Sequence, residues 1–148
     1  FAGVSGTTLR ATTPDVEDNA ITNSGLYSNN AAEGFTTTEE EIGSITITTD
    51  GGPVAVWGLA TLQKVNVEND TFALAIRKDS ISGSILGSTN VAIKGSGEDG
   101  LLAQTVIGFD SSPAASQTYK LTIVATVGTT ASNQLASNRR LIAMNLKK

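Results

Sequence analysis

The 148 residues contain neither His nor Cys, which excludes Ser-His-Asp and Cys-His catalysis, zinc and haem ligation by those side chains, and a disulfide framework. Charged residues make up 16%, against about 25% in an ordinary globular chain, and a net charge of −4 offers nucleic acid no cationic footprint. The gap is filled by 20 Thr and 14 Ser, which suit an exposed β face because β-branched Thr fits the pleat while its hydroxyl meets water.

The length fits one domain able to bury a core without staples. No apolar run approaches the ~18 residues that span a bilayer, and no Ser is followed three positions later by Lys, so the S-x-x-K dyad is absent too. The chain is therefore expected to be no enzyme and to carry no catalytic, cofactor or metal site. Neither nucleic-acid binding nor membrane insertion is expected.

Residues 1–40 are polar and weakly patterned, with isolated apolar positions at Phe1, Val4, Leu9, Val16, Ile21, Leu26 and Phe35. Anchors spaced so widely cannot close a core of their own, so they predict an extended N-terminal arm ordered by contact with another surface, or a stalk segment that is one chain of an intertwined stalk. Phe1 stands where a translated chain carries Met, which points to a removed leader or to a piece of a longer protein.

From residue 41 to 148 strands follow one another. Ile45 and Ile47 alternate with Thr46 and Thr48, up to the turn signal Asp50-Gly51-Gly52-Pro53. Residues 54–62 are apolar on both parities, which predicts a strand covered on both faces, with Val54, Val56, Trp57 and Leu59 at a subunit interface. Phe72, Leu74 and Ile76 form the next alternating run, closed by a turn over Asp79–Gly83. Ile85-Leu86 and Val91–Ile93 are expected as a pair broken at Gly87, followed by strands over Leu102–Phe109, Tyr119–Val127 and Arg140–Leu146. Roughly seven or eight short strands without helical periodicity predict an all-β, antiparallel sandwich.

Three motifs carry little chemistry. Gly95-Ser-Gly97-Glu-Asp-Gly100 spells G-x-G-x-x-G, but a strand-like run follows it where a phosphate site needs a helix, and Glu98 and Asp99 repel phosphate. The acidic groups Asp15/Glu17/Asp18, Glu39/Glu40/Glu41, Glu68/Asp70 and Glu98/Asp99 lack the loop spacing of a calcium site and are expected to be solvated. Asn69-Asp70-Thr71 is an N-glycosylation triplet.

The segments Ser44–Val56, Phe72–Asp79, Gln117–Ile123 and Arg140–Leu146 together resemble the jelly-roll heads, C1q/TNF-like, that end bacteriophage fibres and decorate virions. Glu17-Asp-Asn-Ala-Ile-Thr-Asn is similar to repeats of trimeric phage-fibre stalks, although Asp79-Ser80 replaces the usual Asp-Gly turn. The resemblance implies a jelly-roll-like sandwich, a homotrimer packed around apolar inner strands, other virion subunits and a host surface receptor as partners, and a virion-surface or extracellular location. Two alternatives stay open. One is a filament or pilus subunit polymerising by donor-strand addition of its arm; the other is a lectin-like binding domain.

Overall fold

The computed structural model describes residues 21–64, 70–93, 100–127 and 134–146. Among them nine strands occur: β1 (Ile21–Asn29), β2 (Glu33–Phe35), β3 (Glu40–Thr48), β4 (Val54–Lys64), β5 (Asp70–Lys78), β6 (Ile85–Ile93), β7 (Gly100–Asp110), β8 (Ser116–Val127) and β9 (Gln134–Leu146). They form two antiparallel sheets, β1-β9-β4-β7 and β3-β8-β5-β6, with β2 also paired to β9. This is the two-sheet, double Greek-key arrangement of a jelly roll.

Alternation builds the core. Val54, Val56, Ala60 and Leu62 on β4 point inward with Leu141 and Ala143 on β9. They meet Phe72, Leu74 and Ile76 on β5 and Tyr119, Leu121, Ile123 and Ala125 on β8. Each large buried side chain contributes about 1.5–3 kcal/mol. Phe35 packs edge-to-face on Phe72, with centroids 5.3 Å apart and rings at 84°.

The N-terminal boundary differs from expectation. The arm was expected to reach residue 40, yet β1 pairs with β9 from Ile21↔Leu146 to Asn29↔Arg139, and Phe35 is fully buried in the core. The segment from residue 21 to 40 is part of the sandwich. Its alternation was hard to see because one inward position on β1 is Gly25, where a Cβ would collide with Ile45 and Ile47. Phe1, Val4, Leu9 and Val16 lie outside the described residues.

Two strands are longer than expected. β6 continues through Gly87 as one strand, although its register with β5 shifts between Gly87 and Ile85, and the glycine answers a close approach rather than a turn: a Cβ there would overlap the Ile107 carbonyl of β7. β9 begins at Gln134 rather than near 140, and Asn138 takes φ 47° where the β4–β9 register shifts between Leu59 and Thr61. That bulge adds one residue and reverses the parity of the strand beyond it. Arg139 is thereby turned inward, only 3% exposed. Its guanidinium pairs with Glu33 and donates to the carbonyls of Ile42 (3.1 Å) and Ala31 (3.3 Å), fixing the β1–β2 corner to β9.

The outer face of β3-β8-β5-β6 is hydroxylic and charged. Thr46 and Thr118 bond across strands at 2.7 Å, and Lys120 pairs with Glu41. Arg77 grips the Glu39 carboxylate through Nε and Nη2, and Thr122 Oγ1 donates to the same group. Burial pushes the Glu39 carboxyl up, but the Arg77 and Thr122 hydrogen bonds and the Arg77 charge outweigh it and hold the group below its ordinary 4.5. At one end of the sandwich Lys78 pairs with the buried Asp110 carboxylate, which also accepts from Tyr119 Oη at 3.1 Å. Burial, then the Asp110 charge, push the Tyr119 hydroxyl up, so it stays a donor.

Two predictions arise from this packing. Gly87→Ala should destabilise the fold by roughly 1–3 kcal/mol in urea melts through the overlap with the β7 backbone, whereas Gly34→Ala, with only the Gln134 carbonyl near at 3.8 Å, should stay within about 0.5 kcal/mol of the parent. Equal effects would contradict the close approach. A carboxylate held low in the folded state stabilises fully above its ordinary value and loses that contribution as pH falls through the folded one. Glu39→Gln should therefore cost ~1 kcal/mol at neutral pH and progressively less below pH 4.5, read as a shrinking gap between paired melts.

Candidate functional site: an apolar sheet face

A strand in a two-layer sandwich buries alternate side chains and shows the others to solvent. On β3-β8-β5-β6 the outward set is mainly polar, as the Thr-rich composition suggests, with Ala73, Ala75 and Val124 among it and Ile85 exposed at the β6 edge. On β1-β9-β4-β7 it is not. Leu26 lies opposite Ile142, Ile142 opposite Trp57, and Trp57 opposite Ile107, so one apolar row crosses all four strands. Leu26 is 64% exposed, Ile107 62% and Ile142 38%, while Trp57 is half-buried by its neighbours.

The adjacent rows continue the surface. Met144, Ala55 and Phe109 stand side by side on one flank, and Phe109 is 55% exposed. Arg140, Leu59 and Thr105 stand on the other. Arg140 is the one formal charge in these three rows, and its guanidinium is engaged at the rim with the Asn29 and Arg139 carbonyls and Asn30 Oδ1. Four strands at ~4.8 Å spacing and three rows about 6.8 Å apart along them give a patch of roughly 19 by 20 Å, about half of the ~800 Å² per partner of a specific protein interface.

The expected interface residues divide by parity. Val54 and Val56 are fully buried in the chain's own core and are not available to a subunit contact. The expectation of a strand covered on both faces placed residues of both parities at the interface, but the pleat sends the even positions into the chain's own core. Trp57 and Leu59 lie on the outer face. Of the expected arm anchors, Leu26 lies on this face, Phe35 lies in the core, and Ile21 opens β1.

Ile107, Phe109, Ile142 and Met144 were not singled out from the sequence. The signal was present: Leu141-Ile142-Ala143-Met144 is apolar on both parities, as residues 54–62 are.

Other candidates are occupied by structural work. A crevice of about 190 Å³ is lined by Asn23, Thr48, Thr49, Asp50 and Asn145. The Asn145 amide donates to the Gly52 carbonyl at 3.0 Å and accepts from the Asp50 amide, holding the β3–β4 turn. Glu39, Glu40 and Glu41 bond Arg77, Thr36 and Lys120 in turn, and among the described residues no three metal-ligating side chains converge. The glycine motif and Asn69 lie outside the described residues except for Gly100, which opens strand β7 rather than a helix. Asp15, Glu17, Asp18, Glu68, Glu98 and Asp99 also lie outside.

No family model matches the sequence, and no curated protein matches it. Among solved structures, the chain is similar to the T13 particle of infectious bursal disease virus at 13% identity and a TM-score of 0.49, over 83% of this chain and 31% of that one. The VP2 subviral particle of the same virus gives 14% identity and a TM-score of 0.49, over 86% and 34%. The EclA C-terminal domain, a sugar-binding protein, gives 17% and 0.42 over 96% and 88%. The chain spans about a third of the length of the virus proteins it matches, and the jelly-roll assignment rests on its own strand order.

Proposed function

We propose that this chain is a structural module of a virion surface that works by assembling with further copies of itself and with other virion subunits, and that it is not a catalyst. The observation that carries this reading is the sidedness of the sandwich. One outer face is dominated by Thr, Lys, Arg and Glu with small apolar residues between them, the other by Leu26, Ile142, Trp57, Ile107 and Phe109. Exposed apolar surface of this extent favours a protein partner. The resemblance to phage-fibre heads makes a homotrimer the expected closed form, with a host surface receptor as the outer partner. The absence of His and Cys supports the non-catalytic reading, as does the engagement of Glu39, Glu41 and Asp110 by cations of the same sandwich.

The alternatives draw less support. Donor-strand polymerisation needs a sandwich with a vacant strand position, whereas β9 has β4 on one side and β1 then β2 on the other, all from the same chain. A lectin site wants an aromatic ring flanked by hydrogen-bonding groups, and the cross-strand neighbours of Trp57 are Ile142 and Ile107.

Light scattering on the full chain at micromolar concentration should give the mass of an oligomer, three chains in the trimeric form. Trp57→Glu should keep the β circular dichroism and weaken association by roughly 30-fold or more, as expected for a central Trp worth about 2 kcal/mol. A parent that stays monomeric, or a variant that assembles as well as the parent, contradicts the proposal.

A further inference from the structure

We propose that the apolar outer face of the β1-β9-β4-β7 sheet is the seat for residues 1–20 of a neighbouring copy of this chain. The inference rests on the reading that copies assemble through this face, and it names the element that fills it.

Four observations lead there. First, the segment holds apolar side chains that need a receptacle, namely Phe1, Val4, Leu9 and Val16. The described core is closed around its own residues, and the crevice beside Asn145 is polar. The sheet face is the one contiguous apolar surface left among the described residues.

Second, the charge profiles agree. Residues 1–13 contain a single charge, Arg10, and match a face whose central rows hold only Arg140. The acidic residues Asp15, Glu17 and Asp18 are confined to the stretch next to β1.

Third, the lengths suffice. Thirteen extended residues reach about 43 Å and the seven that follow about 23 Å. The sheet is only ~19 Å across four strands, so the second stretch can bridge to a neighbour while the first crosses the face.

Fourth, the segment joins the fold at Ile21, opposite Leu146, at the edge of this same sheet. The reading that copies assemble through this face makes the receptacle a neighbour's, and turn-forming residues just before Ile21 (Asp18-Asn19) leave seating on the chain's own sheet as the outcome the cross-linking separates.

The absence of Cys makes disulfide trapping clean. Two differently tagged full-length chains, one carrying Val4→Cys or Leu9→Cys and the other Ile142→Cys, would be mixed, allowed to assemble and mildly oxidised. Ile142 points outward, so its replacement leaves the core intact, and circular dichroism of each variant checks this. Cross-linked dimers joining the two tags, in excess over same-tag dimers by tenfold or more, are expected. Efficient Ile142→Cys homodimers without mixed-tag product would show faces packed on each other, overturning the arm proposal while leaving assembly through the face intact. An internal disulfide in the doubly substituted chain as a monomer would show the segment seated on its own sheet, which overturns it as well. If neither cross-link forms and the chains remain monomeric, both the proposal and the assembly reading fall.

Discussion

The pairing of β9 is the interaction on which the other features depend. This strand lies between β4 on one side and β1 followed by β2 on the other, so its register sets which residues of three strands share a face. In a strand the side-chain period is two, and a slip of one residue exchanges the buried and exposed sets. The bulge at Asn138 is such a slip, built in once. Beyond it Leu141 and Ala143 enter the core while Ile142 and Met144 turn outward. Without the added residue Ile142 would be buried, and the row from Leu26 to Ile107 would be interrupted at its second member. Arg139 holds the slip in place by binding the Ile42 and Ala31 carbonyls and Glu33. A buried guanidinium costs desolvation, which the Glu33 pair and the two carbonyls offset only in part, because Arg139 Nε is buried with no hydrogen-bond partner among the described residues.

That register produces a sandwich with two unlike exteriors. The β3-β8-β5-β6 face is finished for water, with cross-strand pairs such as Thr46–Thr118 and Lys120–Glu41. The β1-β9-β4-β7 face is left apolar across four strands. The same hydrophobic effect that closes the core acts on this second surface and supplies a driving force for association. The flanks are less open to partners: the β6 backbone at Gly87 abuts the Ile107 carbonyl, and Tyr27 lies over Gly43 between β1 and β3. Covering edges in this way suppresses random strand addition and leaves face contact as the favoured mode.

Much of the sandwich was legible in the sequence because its strands alternate. Residues 72–77 and 119–127 follow the pattern closely, and both lie in the centre of their sheet. β1 was not legible, since Gly25 occupies an inward position where alternation calls for a large apolar residue. Gly87 was misleading for a related reason: glycine marks a close approach as well as a turn, and sequence alone does not distinguish the two. At the candidate surface the doubly apolar run 54–62 was the right signal, but it assigned Val54 and Val56 to the interface along with Trp57 and Leu59. Parity separates them only once the inner face is known. Ile107 and Phe109 gain their meaning from the register with β4, a long-range property that no local window contains.

Trp57 is the only Trp in the chain and sits within the apolar row, so its accessibility reports directly on whether that face is covered. The decisive measurement is acrylamide quenching of its fluorescence in the full chain across a dilution series, followed in parallel with molar mass. The account predicts weak quenching at concentrations where oligomers dominate, rising on dilution in step with the fall in mass. Quenching that is constant across the series while the mass changes would place the contact elsewhere on the molecule and contradict the central claim.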